Sequence, residues 1–282
     1  MISSSTKLFC LIGNPVKHSV SPQMHNVAFR EMGLDCLFVS FKVENLGDAI
    51  SGVRALDISG GNITIPHKTS VMKYLDEGDE LSRAINAANT FVNEKGVLKG
   101  FNTDGLGALK TLKENGASPK GKKIALIGAG GASKSISYAI ASEEPSEIVI
   151  FNRTVEKAGL VKEAIKKFGV KTEVLGLSTK NLKSELKDSD VLINTTPVGM
   201  HGNETPVAKD AIHKNLVVMD VIYNPFETRL LKEAKSKGAK ALNGIGMLVN
   251  QGVLAFEIWT GKKPDAELMK EAAIESLKRH EK

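Results

Sequence analysis

At 282 residues, with 41% hydrophobic and 25% charged positions, the chain is long enough for two compact domains and has the make-up of a soluble globular protein. Its 38 basic and 32 acidic residues leave a net charge of +6, spread without blocks of like charge or basic stretches interleaved with aromatics; this argues against nucleic acid and leaves room for an anionic small molecule. No run of about 18 apolar residues could span a membrane, residues 1–7 lack the apolar stretch of a signal peptide, and Cys10 and Cys36 fit no metal-ligand or C-x-x-C spacing, so a cytoplasmic protein with two reduced, buried thiols and no metal is expected.

Strands and helices alternate along the chain, the pattern of an α/β architecture with largely parallel sheets. Residues 7–12 form a first short strand. Ser21-Pro22 reads as an N-cap with proline at the first helical position, and Gly33 stops that helix. Residues 37–43 alternate apolar and polar side chains as a strand does, and residues 61–65 make another strand, closed by Pro66. Residues 90–92 and 97–101 flank the turn Asn93-Glu94-Lys95-Gly96 and predict a hairpin. A helix follows over 104–115, and the turn-rich segment 116–121 is a candidate domain boundary. Beyond it comes a βαβ series: a strand at 123–127, a helix at 133–142, a strand at 147–151 and a helix at 155–168. The last carries Leu160, Val161, Ala164, Ile165 and Phe168 on one face. Strands are expected near 191–194 and 216–221, and helices over 247–260 and 264–278 close the chain.

Gly128-Ala129-Gly130-Gly131-Ala132-Ser133 follows a buried strand and opens a helix, the context a dinucleotide fingerprint requires. Gly128 allows the tight turn, and Gly130 lets the backbone approach a pyrophosphate facing the amides of the helix N-terminus. Ser133 replaces the third glycine and is small enough for close helix packing. At the end of the next strand an NAD site would place a carboxylate for the ribose. This chain instead has Asn152-Arg153-Thr154, with Lys157 one turn on. A guanidinium, a hydroxyl and an ammonium suit a 2′-phosphate, so NADP is read over NAD, against the alternative of an ordinary exposed arginine at a helix start.

Three polar constellations precede this region. Ser19 and Ser21 stand at a strand-to-helix junction and could offer hydroxyls to a small carboxylate, although Ser21 could equally be only a helix cap. Asn62 and Thr64 share a strand face by the period of two, and Lys68 follows just past Pro66, where a surface lysine is the ordinary reading. Asn89-Thr90 and Asn102-Thr103-Asp104-Gly105 form the third; taken alone, Asp104 is an N-cap.

Together these segments stop being separate. Gly-Asn-Pro-Val with His-Ser-x-Ser-Pro, Asn-Ile-Thr-Ile-Pro-His-Lys, Ala-Asn-Thr, Asn-Thr-Asp-Gly, Gly-Ala-Gly-Gly-Ala, Asn-Arg-Thr and Asp220-Val221-Ile222-Tyr223-Asn224-Pro225 occur in this order, followed by Asn243-Gly244, Met247-Leu248-Val249 and Gln251-Gly252. The set closely resembles the shikimate dehydrogenase family, from about residue 7 to the last helix. One local departure stands out: the family usually has Gly-Ala-Val-Asn-Thr where this chain has Asn86-Ala87-Ala88-Asn89-Thr90. Asparagine tolerates positive φ, so the turn is expected to survive.

The resemblance implies an NADP-dependent oxidoreductase that interconverts 3-dehydroshikimate and shikimate, as a monomer or homodimer. It implies a discontinuous substrate domain, residues 1–104 and 246–282, and an inserted Rossmann-type NADP domain with a doubly wound parallel sheet, residues 105–245. By the same resemblance Ser19 and Ser21 hold the substrate carboxylate. Asn62, Thr64, Asn89 and Asp104 hold ring hydroxyls, with Tyr223 and Gln251 completing the pocket, and Lys68 and Asp104 form the catalytic pair. Gly128, Ala129, Gly130, Gly131 and Ala132 line the pyrophosphate, Asn152, Arg153, Thr154 and Lys157 the adenosine end, and Gly244 and Met247 the nicotinamide end. Two other readings stay open. A relative that also oxidises quinate with NAD would tend to carry an acid near the end of the second nucleotide-domain strand, which is missing here. A catalytically silent NADP- or shikimate-binding module would be expected to lose Lys68 or Asp104, and both are kept.

Overall fold

The computed structural model describes residues 2–280 and divides into two compact units, Met1–Thr103 with Val249–Lys282, and Asp104–Leu248. In chain order the first unit contains β1 (Lys7–Gly13), α1 (Ser21–Glu31), β2 (Cys36–Lys42), α2 (Leu46–Ala55), β3 (Gly60–Ile63), β4 (Glu77–Gly78), α3 (Glu80–Ile85), β5 (Thr90–Glu94) and β6 (Val97–Phe101). The second contains α4 (Asp104–Glu114), β7 (Lys123–Ile127), α5 (Gly131–Ala141), β8 (Glu147–Asn152), α6 (Val155–Ile165), β9 (Thr172–Gly176), α7 (Thr179–Leu186), β10 (Val191–Asn194), β11 (Val217–Asp220), α8 (Arg229–Ser236) and β12 (Lys240–Leu242). The division falls within α9 (Ile245–Thr260), and α10 (Ala266–His280) follows.

The sheet of the first unit runs β2-β1-β3-β5-β6-β4. β1 is parallel to β2 and β3, whereas β5 is antiparallel to β3 and β6, because the hairpin at 93–96 reverses the chain in place. Alternation along β1 sends Cys10 and Ile12 into a core with Val43, Leu46, Ile50, Val53, Ile63 and Phe91. Its neighbour Phe9 meets Phe29 of α1 and Trp259 of α9, at ring centroid distances of 5.4 and 5.1 Å.

Strand β3 depends on glycine. A Cβ on Gly61 would strike the backbone carbonyl of Cys10 in the adjacent strand, which cannot rotate aside. Gly61→Ala is therefore expected to destabilise the first unit by about 1–3 kcal/mol or more. Gly52→Ala, in mid-helix of α2 with nothing within 4 Å of the added methyl, should stabilise it by about 0.5–1 kcal/mol. Urea unfolding midpoints read both; equal shifts would contradict the packing of β1 on β3.

The second unit has a wholly parallel sheet in the order β12-β11-β10-β7-β8-β9. Its central strands are near-continuous apolar runs, buried on both faces as a doubly wound sheet requires. The order reverses between β7 and β10, and that switch point is where ligands of such sheets bind.

Several expectations need correction. Ser21 is the first helical residue rather than the cap: Val20 occupies the cap position, and no side chain caps α1. Asp104 is likewise the first residue of its helix. Thr64 lies beyond β3, because the chain turns after Ile63 into the cis Ile65-Pro66 bond. Helix α6 stops at Ile165 and tightens over Lys166–Phe168; its buried stripe is Ala158, Val161 and Ile165, and Leu160 is exposed. Both thiols are free, but only Cys10 is buried; Cys36 is half-buried. Asn86 adopts φ +51° as the left-handed end of α3, as expected of the asparagine that replaces glycine there.

Candidate active site

In the second unit the functional candidates gather at the carboxyl ends of the parallel strands. Gly128 leaves β7 with φ +115°, its N–H bonded to Phe151 O at 2.8 Å. A Cβ there would collide with the Thr195 hydroxyl, so only glycine fits. Gly130 precedes the first residue of α5, with no side-chain cap and open space where a Cβ would stand. This is the cradle a pyrophosphate needs: uncapped amides at a helix N-terminus, with no side chain in the approach. Gly131 opens α5. Ser133 is fully buried and donates to Gly128 O at 2.7 Å, so the serine in place of the third glycine closes the loop on itself.

Thr195 escaped the reading of the sequence. It follows β10 across the switch point and donates its hydroxyl to Ile127 O at 2.7 Å, bracing Gly128. A hydroxyl pair, Thr195-Thr196, directly after a buried four-residue strand was the available signal.

At the end of β8, Asn152 donates to Thr154 O at 2.8 Å and shapes the bend before α6. Arg153, Thr154 and Lys157 are all exposed; the strand ends on Asn152 rather than on a carboxylate, and the nearest acid beyond it is Glu156, in the first turn of α6. The residues present thus fit a phosphorylated ribose: two exposed cations and a hydroxyl at one strand end.

After β11 the backbone is held by Asp220. Its carboxylate accepts from Thr228 Oγ1 at 2.7 Å, Ile222 N at 3.2 Å and Asn194 Nδ2 at 3.1 Å, which fixes the turn that presents Tyr223. Burial of Tyr223 pushes its phenol up. Gly244 also bonds into this turn, through its N–H to Ile222 O at 3.0 Å, and a Cβ there would strike Val221 O. Met247 is buried in the first turn of α9.

Burial pushes the Asp220 carboxyl up to about 6, against the three hydrogen bonds that pull it down. The folded state therefore keeps a proton that the unfolded chain has released. This group's contribution to stability is greatest below its unfolded value of 3.8 and is lost as pH rises through about 6. Asp220→Asn should remove that descent, so the variant gains stability relative to the parent as pH rises across this window. Urea midpoints at several pH values read the difference, and a pH-independent difference would contradict the assignment.

The first unit carries a buried polar network. Asn62 of β3 donates through Nδ2 to Thr90 Oγ1 at 3.0 Å and Asn89 O at 3.3 Å. Asn89 Oδ1 accepts from Thr103 N at 2.8 Å, and its Nδ2 donates to Thr103 Oγ1 at 2.9 Å and Gln251 Oε1 at 3.3 Å. Three of the residues singled out from the sequence are thus brought together, Asn62 from β3, Asn89 from just ahead of β5 and Gln251 from α9, with Thr90 and Thr103 as additional members. Carboxamides in such a lattice have fixed orientations and present donors and acceptors in set directions, which is what recognition of ring hydroxyls demands.

Ser19 and Ser21 also meet. Ser19 Oγ donates to Ser21 Oγ at 3.2 Å and accepts from Ser21 N at 3.2 Å. Ser19 lines a groove of about 380 Å³ with Asn14, Lys17, Gln23, Ser40 and Lys42, a cationic setting for a carboxylate. Thr64 N donates to Ile12 O at 2.9 Å, which holds the turn that leads to Lys68. Lys68 is half-buried, and its backbone is anchored on both sides. The preceding His67 is buried and donates Nε2–H to Val43 O at 2.8 Å, and Lys68 O accepts from Ala88 N at 2.9 Å. In the second unit Asp104 is buried, and the next residue, Gly105, bonds its N–H to Ser135 Oγ of α5 at 2.7 Å. Among the described residues no cluster of His, Cys, Asp and Glu could hold a metal ion.

A doubly wound parallel sheet with a glycine turn at its switch point, and beside it in the chain an α/β unit holding a carboxamide lattice, define a two-domain α/β protein of the dinucleotide-binding class. The comparisons narrow the class. The shikimate dehydrogenase substrate binding domain matches residues 11–91, the shikimate / quinate 5-dehydrogenase domain residues 110–221, and the shikimate 5'-dehydrogenase C-terminal domain residues 244–274. The shikimate dehydrogenase (NADP(+)) of Methanopyrus kandleri is 46% identical over 98% of each chain. A crystal structure of a shikimate dehydrogenase in complex with NADP+ superimposes with a TM-score of 0.90 at 47% identity, covering 98% of both chains. The Listeria monocytogenes shikimate 5-dehydrogenase, in complex with shikimate and NAD, gives a TM-score of 0.90 at 40% identity over 96% of this chain and 97% of the other. The chain belongs to the shikimate dehydrogenase family.

Proposed function

We propose that this chain catalyses the reversible, NADPH-dependent reduction of 3-dehydroshikimate to shikimate, a step toward aromatic amino acids, in the cytoplasm and as a monomer or homodimer. The observation that carries the reading is the Asn62–Asn89–Gln251 lattice in a chain of this family. Its amide groups are oriented for a ring bearing several hydroxyls, with Thr64 and Tyr223 adding further hydroxyls to the pocket. Ser19 and Ser21 take the carboxylate. Gly128, Ala129, Gly130, Gly131 and Ala132 hold the pyrophosphate, Asn152, Arg153, Thr154 and Lys157 the phosphorylated adenosine, and Gly244 and Met247 the nicotinamide end. When bound, the dinucleotide supplies or takes up the hydride. Lys68 donates a proton to the substrate oxygen in reduction and accepts it in oxidation. Asp104 orients the ammonium and accepts a hydrogen bond from the adjoining ring hydroxyl.

The test is a set of initial rates with shikimate and quinate, each with NADP and with NAD. The proposal expects shikimate with NADP to give the highest kcat/KM. Preference for quinate with NAD, or tight binding of both ligands without turnover, would overturn it in favour of a quinate enzyme or a silent binding module.

A further inference from the structure

His25 of α1 is completely buried, yet neither ring nitrogen has a hydrogen-bond partner of standard geometry among the described residues. The ring lies against Phe38, at 4.7 Å between centroids, and Trp259, at 4.9 Å, with Phe256 beyond at 6.4 Å. Burial of this kind pushes the imidazole down to about 3, so it is neutral at physiological pH and carries one N–H donor. The neighbouring Asn62 carboxamide opposes the shift, which puts it within interaction range of the ring. Asn62 has the complementary deficiency: its Nδ2 is committed to Thr90 and Asn89, whereas its Oδ1 is buried and has no partner. A donor without an acceptor thus lies beside an acceptor without a donor. An apolar side chain would fill an aromatic pocket at lower cost than an imidazole, since an unpaired buried polar group costs about 1–3 kcal/mol.

We infer that His25 is a positioning residue: its ring N–H is the donor for Asn62 Oδ1, and it locks the Asn62 carboxamide in the orientation that presents it to a substrate hydroxyl. The inference rests on the substrate reading of Asn62 given above. The imidazole touches no substrate; it acts through Asn62, with the aromatic rings holding its plane. Loss of the donor leaves Asn62 Oδ1 unpaired and the amide held only through Nδ2, on Thr90 Oγ1 and Asn89 O, at the head of the Thr90–Asn89–Gln251 lattice.

The experiment is a double-mutant cycle on the full-length enzyme with shikimate and NADP. His25→Phe keeps the ring volume and removes the donor. It should raise KM for shikimate about tenfold and leave KM for NADP within about twofold; in the Asn62→Ala background the same change should alter KM for shikimate by less than about twofold. Effects that multiply in the double variant would overturn the inference. A spectroscopic reading of the parent enzyme decides the matter if His25→Phe does not fold. In protein labelled with 15N-histidine, the His25 ring N–H should give a slowly exchanging proton signal that shifts, and exchanges faster, in Asn62→Ala; an unchanged signal would overturn the inference. Absence of turnover with shikimate in the parent would instead count against the proposed function, and the ring N–H signal would still report on the His25–Asn62 bond.

Discussion

Lys68→Ala is expected to lower kcat for shikimate oxidation by roughly 10²–10⁴-fold, the range attributed to general acid–base catalysis, with KM for shikimate changing far less. Such a loss raises the barrier by about 1.4 kcal/mol for each tenfold. The size of the effect follows from how the residue is held. Lys68 is half-buried, its backbone held by His67 on Val43 O and by its own carbonyl on Ala88 N, so on the proposed role the proton donor hangs from a fixed stretch of chain. Neither anchor uses the side chain, so both survive in the variant. Lys68→Arg should not rescue turnover, because a guanidinium does not give up its proton near neutral pH. Stopped-flow and steady-state rates with both oxidised and reduced substrates check the result. Near-normal kcat in Lys68→Ala would assign the proton to another group.

Arg153→Ala should weaken NADPH by about 10–100-fold, the worth of a charge-assisted bond to phosphate, and leave NADH within about twofold. The bend after β8 has an exposed guanidinium, Arg153, and an exposed ammonium, Lys157, and β8 ends on Asn152 rather than on a carboxylate. On the proposed role, discrimination between the two nucleotides rests on one phosphate meeting two cations. Because both cations are solvent-exposed, the preference should also shrink as salt is raised. Fluorescence titration with each nucleotide at low and high salt reads both effects. Equal losses for NADPH and NADH would remove the phosphate from this bend.

The parts of the molecule that could be read directly from the sequence are those governed by local constraints. Gly128 and Gly130 were legible because a positive φ and an open approach have few residues that satisfy them. The apolar runs of β1, β7 and β10 disclose their burial in the same way. Elements with weak local signals were missed: β9 is a short, half-exposed edge strand, α3 spans six residues, and α8, although capped by Thr228, follows a turn that masks its start. The carboxamide lattice was legible only as separate polar segments, since Asn89 and Gln251 are 162 residues apart and only tertiary folding joins them. Leu160 misled because helical spacing assigns an apolar stripe without saying where the stripe ends. His25 carried no signal at all: a histidine on the buried face of an amphipathic helix becomes informative only when its nitrogens are seen to have no other partner.

The most direct measurement follows the near-ultraviolet absorbance of the reduced nicotinamide as the purified protein is mixed with NADPH and 3-dehydroshikimate. The account predicts a loss of absorbance matched mole for mole by shikimate, reversed when shikimate and NADP are supplied instead. A nucleotide that stays reduced in the presence of the ketone, with the protein folded and both ligands bound, would contradict it.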